Sequence, residues 1–308
     1  MRILFVASNN SGGFVPFVAE QAEALRRSGC DVSLFGVQGK GLKGYLKNLP
    51  ALKRSLYSFC PDIIHAHYGL SGLLALLQRK VPVVVTFHGS DINEKKNLFF
   101  SKIAMSLSAW NVFVSQRMLD VARPIKHYSL LPCGIDLSVI QQTDKHEARR
   151  LLHLSATEKY ILFAGAFDNA VKNPELAKQA VRLLHNPSAK LLELKGYDRK
   201  EVALLMCAVD AFLLTSHSEG SPQVVKEAMA CGCPVVSVDV GDVKERVKGV
   251  EGCYVAAGRE PEELAELLRK AIGFETRTEG RAKIVSDGLE NSQVAEKMME
   301  IYRIVCGK

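Results

Sequence analysis

Two apolar, strand-forming runs, Asp210–Thr215 (DAFLLT) and Pro234–Val238 (PVVSV), flank the stretch Ser216–Val236, SHSEGSPQVVKEAMACGCPVV. That arrangement leaves few folds open. Pro222 suits the first turn of a helix, where its missing N–H costs nothing. Gln223–Cys231 is helix-forming, Gly232 fits the position just past a helix end, and Pro234 stops any continuation. Strand, polar loop, helix and second buried strand make one unit of a parallel sheet, so the chain reads as α/β.

Glu219 stands in the loop at the carboxyl end of the first strand, and Glu227 lies about one turn into the helix among Val224, Val225 and Ala228. Ligands of open α/β sheets bind at the carboxyl ends of the strands. The backbone N–H groups of Gly220, Ser221 and Gln223 favour an anionic or hydroxyl-rich ligand there. Two carboxylates accept hydrogen bonds from vicinal hydroxyls, such as those of a sugar or a ribose. Taken alone, the pair fits better a Glu219 that caps the helix and a solvated Glu227.

A chain of 308 residues is expected to form two domains. With 47% hydrophobic and 24% charged residues it is globular. No apolar run reaches the roughly 18 residues of a membrane span. The opening MRILFVAS is too short for a signal peptide and is followed by Asn9, Asn10 and Ser11. It reads as a first buried strand, and the expected location is cytoplasmic. The eight cysteines form no C-x-x-C pair, which argues against zinc and dithiol chemistry. The net charge of +7 points to an anionic partner: a nucleotide, a phospholipid surface or nucleic acid. No helix-turn-helix, finger or RNP signature supports nucleic acid.

Strand–loop–helix–strand logic also opens the chain, with strands at Arg2–Ala7 and Asp31–Val37 and a helix over Phe14–Ser28. Gly12 and Gly13 in SNNSGG let a backbone approach a phosphate or sugar, or simply make a tight turn; G-x-G-x-x-G is absent. Lys40–Phe59 carries five basic residues and no acidic one, with Leu42, Tyr45, Leu46 and Leu49 at helical spacing and a break expected at Pro50. Such a segment lies on an anionic membrane face or packs as a core-facing helix with a solvated lysine side. Lys95–Phe100, KKNLFF, again sets bases beside aromatics. PDIIHAH and VPVVVTF are strands, the second ending in His88-Gly89-Ser90-Asp91. His65 and His67 resemble a metal pair on one strand face, but no third ligand accompanies them. His88, at the carboxyl end of its strand, can both donate and accept hydrogen bonds as a neutral imidazole. In the second half, the strand Tyr160–Ala164 leads through GAFDNAVKN to the helix Pro174–Leu184, with Lys172 at its entry, the composition of a diphosphate site or of a solvated turn.

HAHYGLSG, TFHGSD, LPCGID, GAFDNAVKN and SEGSPQVVKEAMACGCPVVSVDVGD, in this order, resemble glycosyltransferase family 4, the retaining sugar-nucleotide transferases of GT-B fold. The likeness is closest to transferases of teichuronic-acid or capsular polysaccharide type. It implies two Rossmann-like domains facing a cleft: residues 1–139 on the acceptor side and 140–291 holding the nucleotide sugar, with helix 292–308 crossing back to the first. The resemblance implies that Glu227 binds ribose hydroxyls and that Glu219 binds the transferred sugar, helped by the N–H groups after it. Lys172 would hold the diphosphate and stabilise its leaving charge, assisted by the Gly12–Gly13 loop. His88 would meet the donor sugar, with Asp91 supporting its loop. The implied partners are a nucleotide-diphosphate sugar, a glycan or lipid-linked acceptor and an anionic membrane face, with no nucleic acid. No Asp-x-Asp motif stands at a strand end, so no metal and no further cofactor is expected.

The sequence departs from the family at Ala166, where an arginine usually completes a two-cation clamp with the lysine. Arg199, Lys195 and Lys126 are candidate replacements. The segment between Lys190 and Asp210 is also short, which simplifies the expected base pocket. Two rival readings share the fold: a sugar-nucleotide 2-epimerase, and a sugar-nucleotide-binding protein without catalysis.

Overall fold

The structure, a computed structural model, describes residues 1–124 and 126–307. The chain divides into two compact units, Met1–Gly134 with Asn291–Lys308, and Ile135–Glu290. The closing helix runs over Asn291–Cys306, and Lys308, the last residue of the segment expected to be helical, lies outside the described residues.

The first unit is built on a parallel sheet of six strands: β1 (Arg2–Ser8), β2 (Asp31–Val37), β3 (Ile63–His67), β4 (Val83–Phe87), β5 (Trp110–Phe113) and β6 (Tyr128–Leu130), in the order β2-β1-β3-β4-β5-β6. Both β3 and β4 are buried at every position, as strands covered on both faces by helices must be. Alternate side chains of β1 go to opposite faces. Leu4 and Val6 join the core beneath Tyr45, Leu52, Leu74 and Met105. Ile3 and Phe5 meet Val18, Leu25, Val294, Met298 and Tyr302. One face therefore carries the helices Gly41–Leu46, Leu49–Phe59, Gly69–Leu76 and Lys95–Leu107, and the other carries Pro16–Arg27 and Asn291–Cys306. Lys40–Phe59 breaks at Lys47–Asn48 and not at Pro50, which sits in the first turn of the second helix, where its missing N–H costs nothing.

Helix Gly69–Leu76, GLSGLLAL, was not expected from sequence. Its glycines serve packing: a Cβ on Gly69 would fall 2.2 Å from Ser101 Oγ, and one on Gly72 would fall 2.9 Å from a Val85 methyl.

The second unit has a five-stranded parallel sheet: β7 (Lys159–Phe163), β8 (Ala189–Glu193), β9 (Ala211–Leu214), β10 (Val235–Val238) and β11 (Tyr254–Ala256), in the order β11-β10-β9-β7-β8. Its core is one continuous cluster that includes Cys207, Cys231 and Cys233 as buried thiols. No helix among the described residues is long and apolar enough to cross a membrane.

Candidate functional site

The lysine turn follows β7. A Cβ on Gly165 would lie 2.8 Å from Lys172 Cγ, so only glycine lets the lysine stem cross the turn there. Asn169 Oδ1 accepts from the Val171 N–H at 3.1 Å and caps the short 3-10 turn Ala170–Lys172. Asn173, at φ 54°, then reverses the chain into the helix Pro174–Arg182. Two contacts tie this turn to the end of β9. Thr215 Oγ1 lies 2.9 Å from the carbonyl oxygens of both Lys172 and Asn173, and the His217 N–H donates to the Val171 carbonyl at 2.9 Å. Held this way, Lys172 Nζ donates to Glu219 Oε1 at 2.7 Å.

The loop after β9 carries Glu219, Gly220 and Ser221 to Pro222, which sits at the N-cap of the helix Gln223–Ala230 rather than in its first turn. Glu227, with only 4% of its side chain exposed, accepts from Arg199 Nη1. Arg199 opens the helix Arg199–Ala208, which is fixed by a capping box of Asp198 and Glu201. Lys172, Glu219, Glu227 and Arg199 thus form two ion pairs on one unit. The carboxylates would otherwise repel an anionic ligand, and the two cations balance them.

Three further residues hold this loop, and the sequence reading assigned none of them a role. Arg259 donates from Nη2 to the Ser216 carbonyl at 2.8 Å and from Nη1 to the Thr215 carbonyl at 3.2 Å, satisfying the frayed end of β9. Gly241, at φ 59°, lies so close that a Cβ would be 2.7 Å from the Gly220 carbonyl oxygen. Asp242 Oδ2 accepts from Ser221 Oγ at 2.8 Å. Burial raises the Asp242 carboxyl, while the charges of Lys226 and Arg246 and the Ser221 hydroxyl oppose that rise. The only sequence signal for the last two was the Gly-Asp pair after β10.

Two of the three candidates for the absent arginine also lie in this unit. Arg199 is on Glu227, and Lys195 Nζ lies 2.6 Å from Asp168 Oδ2 in an exposed pair, two residues past Ala166. Lys126 belongs to the first unit.

His88, Gly12 and Gly13 are also in the first unit. The glycines occupy an open loop after β1, with Gly12 at φ 82°. Asp91 Oδ1 accepts from the backbone N–H groups of His88 (3.1 Å) and Gly89 (2.9 Å), fixing the turn after β4. Burial pushes its carboxyl up to about 6 against the pull of those N–H groups. The His88 ring packs against Phe17 and Tyr68, with ring centres 4.7 Å from each. Its Nε2 is 3.0 Å from His67 Nδ1, and its Nδ1 is 3.7 Å from Cys133 Sγ.

His65 and His67 share one face, their rings stacked at 4.4 Å. The two ring nitrogens of His65 are bound to Thr86 Oγ1 at 2.7 Å and Tyr302 OH at 2.6 Å. Burial lowers both histidines, His67 to about 3, so both rings are neutral hydrogen-bonding members of the core. Among the described residues, no three His, Cys, Asp or Glu side chains gather as a metal site.

A family model described as Glycosyltransferase Family 4 matches residues 11–139, and one described as glycosyl transferases group 1 matches residues 176–273. The chain belongs to the family-4 glycosyltransferases. Among curated relatives of this chain is a Bacillus subtilis (strain 168) protein, TuaC, named for teichuronic acid biosynthesis. It is 31% identical over 219 residues, covering 62% of this chain and 56% of that one. The D-inositol 3-phosphate glycosyltransferase of Thermobispora bispora is 27% identical over 269 residues, covering 67% of this chain and 62% of that one. The chain thus spans little more than half the length of these two relatives. Among solved structures, sucrose-phosphate synthase from Thermosynechococcus elongatus has a TM-score of 0.84 at 18% identity, covering 99% of both chains. Anabaena Alr3699/HepE in complex with UDP has a TM-score of 0.76 at 17% identity, covering 97% of this chain and 99% of that one. At such identities these likenesses establish the fold, which is GT-B.

Proposed function

We propose that the chain moves a sugar from a nucleotide-diphosphate sugar to a glycan or lipid-linked acceptor in cell-wall or polysaccharide assembly, with retention at the anomeric carbon. The observation that carries this reading is the Lys172–Glu219 pair, 2.7 Å apart in the loops after β7 and β9, with the buried Glu227 on the helix that follows the second loop. One cation and two hydroxyl-accepting carboxylates at that edge of a parallel sheet suit a diphosphate, a sugar and a ribose together. In this reading Glu227 takes the ribose hydroxyls. Glu219 takes hydroxyls of the transferred sugar, with the backbone of Gly220, Ser221 and Gln223 beside it. Lys172 meets the diphosphate. The Gly12–Gly13 backbone approaches the phosphates. His88 contacts the sugar, which requires one ring nitrogen to exchange its present partner.

The chemistry balances without a covalent enzyme intermediate. The bond between the anomeric carbon and the diphosphate oxygen breaks, and its electron pair leaves with the phosphate. The acceptor oxygen forms its bond on the same face. The acceptor proton passes to the departing phosphate oxygen. The protein supplies position and a preplaced positive charge. Lys172 answers the leaving charge in this reading, so turnover is expected to survive removal of divalent ions by EDTA; a loss restored by Mg²⁺ would contradict that part.

Thermal unfolding with UDP-, GDP-, ADP- and CDP-sugars tests donor binding. The UDP complex of the Anabaena neighbour makes uridine the first base to try. A ligand at about 100 times its Kd should stabilise the fold by about 2.7 kcal/mol and raise the melting temperature by a few degrees. Glu227→Ala is expected to abolish that rise. An equal rise in the variant would remove Glu227 from the donor site.

A further inference from the structure

We propose that the first unit docks on an anionic phospholipid bilayer through the helical face that carries Gly41–Leu46, Leu49–Phe59, Gly69–Leu76 and Lys95–Leu107, and that an acyl chain enters the groove on that face. The proposal extends the lipid-linked acceptor reading but stands on separate observations.

The first observation is charge. Segments 40–59, 69–83 and 95–109 carry ten Lys and Arg and no Asp or Glu, whereas all 308 residues sum to only +7. The remainder of the chain is therefore net acidic, and the positive charge is gathered on one side of one unit. The helices of the opposite face, Pro16–Arg27 and Asn291–Cys306, each hold two acids and two bases.

The second observation is apolar exposure on the same segments. Leu42, Leu46, Tyr57, Leu77, Phe99, Ile103 and Leu107 are seven of the fifteen large apolar side chains exposed among the described residues, and Tyr57 is 88% exposed. Helical packing does not explain them, since the core below is already served by Tyr45, Leu52, Leu74 and Met105.

The third is shape. Leu42, Leu46, Leu77, Phe100, Ile103 and Leu107 line a groove of about 730 Å³, with Arg79 and Lys80 among its walls. A second groove of about 420 Å³, walled by Lys53, Leu56 and Tyr57, shares Gln78, Lys80 and Val81 with the first. An apolar trough edged by cations, with no acid in the segments that line it, matches a lipid with an anionic headgroup and an apolar tail. A second copy of this chain would bring ten positive charges against ten and is disfavoured on that ground.

The test is sedimentation of the full chain with vesicles of phosphatidylcholine alone and of phosphatidylcholine with phosphatidylglycerol, at low and high salt. Binding only to the phosphatidylglycerol vesicles, weakened by salt, is expected. Replacing Lys43, Lys47, Lys53 and Arg54 by serine should lower the partition coefficient at least about a hundredfold. Leu46→Glu with Ile103→Glu should lower it at constant positive patch, and unchanged melting curves with the donor panel would show that both variants fold. No sedimentation, equal binding to neutral vesicles, or full binding by the Leu46→Glu, Ile103→Glu variant would overturn the proposal. So would a stable dimer that both variants dissolve. Failure here leaves donor binding untouched, and failure of donor binding leaves this result readable.

Discussion

Lys172→Ala is expected to lower turnover by about 100- to 1000-fold while the donor affinity changes by about tenfold or less. The cation is aimed at charge that grows only as the diphosphate departs, so its removal acts on the transition state more than on the bound donor. The turn itself should survive. Its shape is fixed by Gly165, the Asn169 cap and the Thr215 and His217 contacts, none of which uses the ammonium group. With only 22% and 16% of the two side chains exposed, loss of the lysine takes this ion-pair partner from Glu219 and should cost about 1–3 kcal/mol of stability. Lys172→Arg should recover part of the rate. Single-turnover kinetics beside equilibrium donor binding separate the two effects. Equal turnover in wild type and Lys172→Ala would remove the lysine from the reaction.

Asp210→Ala is expected to be the most destabilising single change in the second unit, by about 3–5 kcal/mol. Its carboxylate, 1% exposed, accepts from Lys145 Nζ and Arg149 Nη2, each at 2.6 Å, and from the Tyr160 N–H at 2.7 Å. Removing it strands the 6%-exposed Arg149 and a buried amide at the start of β7. Burial works against the charged carboxyl, but the hydrogen bonds from Lys145 and the Tyr160 amide, with the charges of Lys145 and Arg149, hold it below its ordinary value of 3.8. A depressed carboxylate contributes its stability above its unfolded value and loses it as pH falls through the folded one. The difference between wild type and Asp210→Asn should therefore be full at neutral pH and shrink below about pH 4. Denaturant melts at pH 7 and pH 3 check this; a difference independent of pH would mean the effect is packing, not charge.

Those two residues also show how far one sequence reads. Lys172 was legible because turn, helix start and lysine are neighbours in the chain. Asp210 looked like the first residue of a strand. Its partners lie 61 and 65 residues away, and only the folded sheet brings them together. The Arg199–Glu227 pair spans 28 residues, so the sequence could offer Arg199 as a spare cation but could not place it. For His65 and His67 the missing third ligand was the informative part of the sequence. Their spacing resembled a metal pair without a third ligand, and in the fold both are buried hydrogen-bonding groups: His65 is held by Thr86 and Tyr302, and His67 by His88. The second sheet read well because short, mostly apolar strands of three to five residues alternate with helices. In the first unit, glycine-bearing Gly69–Leu76 and the basic Lys95–Leu107 carried no clear helical period, and tertiary packing decided them.

The most direct test of the central claim follows the anomeric proton of each donor sugar by NMR, with a panel of alkyl glycosides and with water as the default acceptor. The account predicts that one nucleotide class releases its diphosphate and yields a glycoside or free sugar of the donor's own anomeric configuration, and that Lys172→Ala slows this. An inverted product would contradict retention. An epimerised nucleotide sugar formed without acceptor would identify an epimerase. Donor binding with no release in any arm would leave a binding protein and contradict the transferase reading.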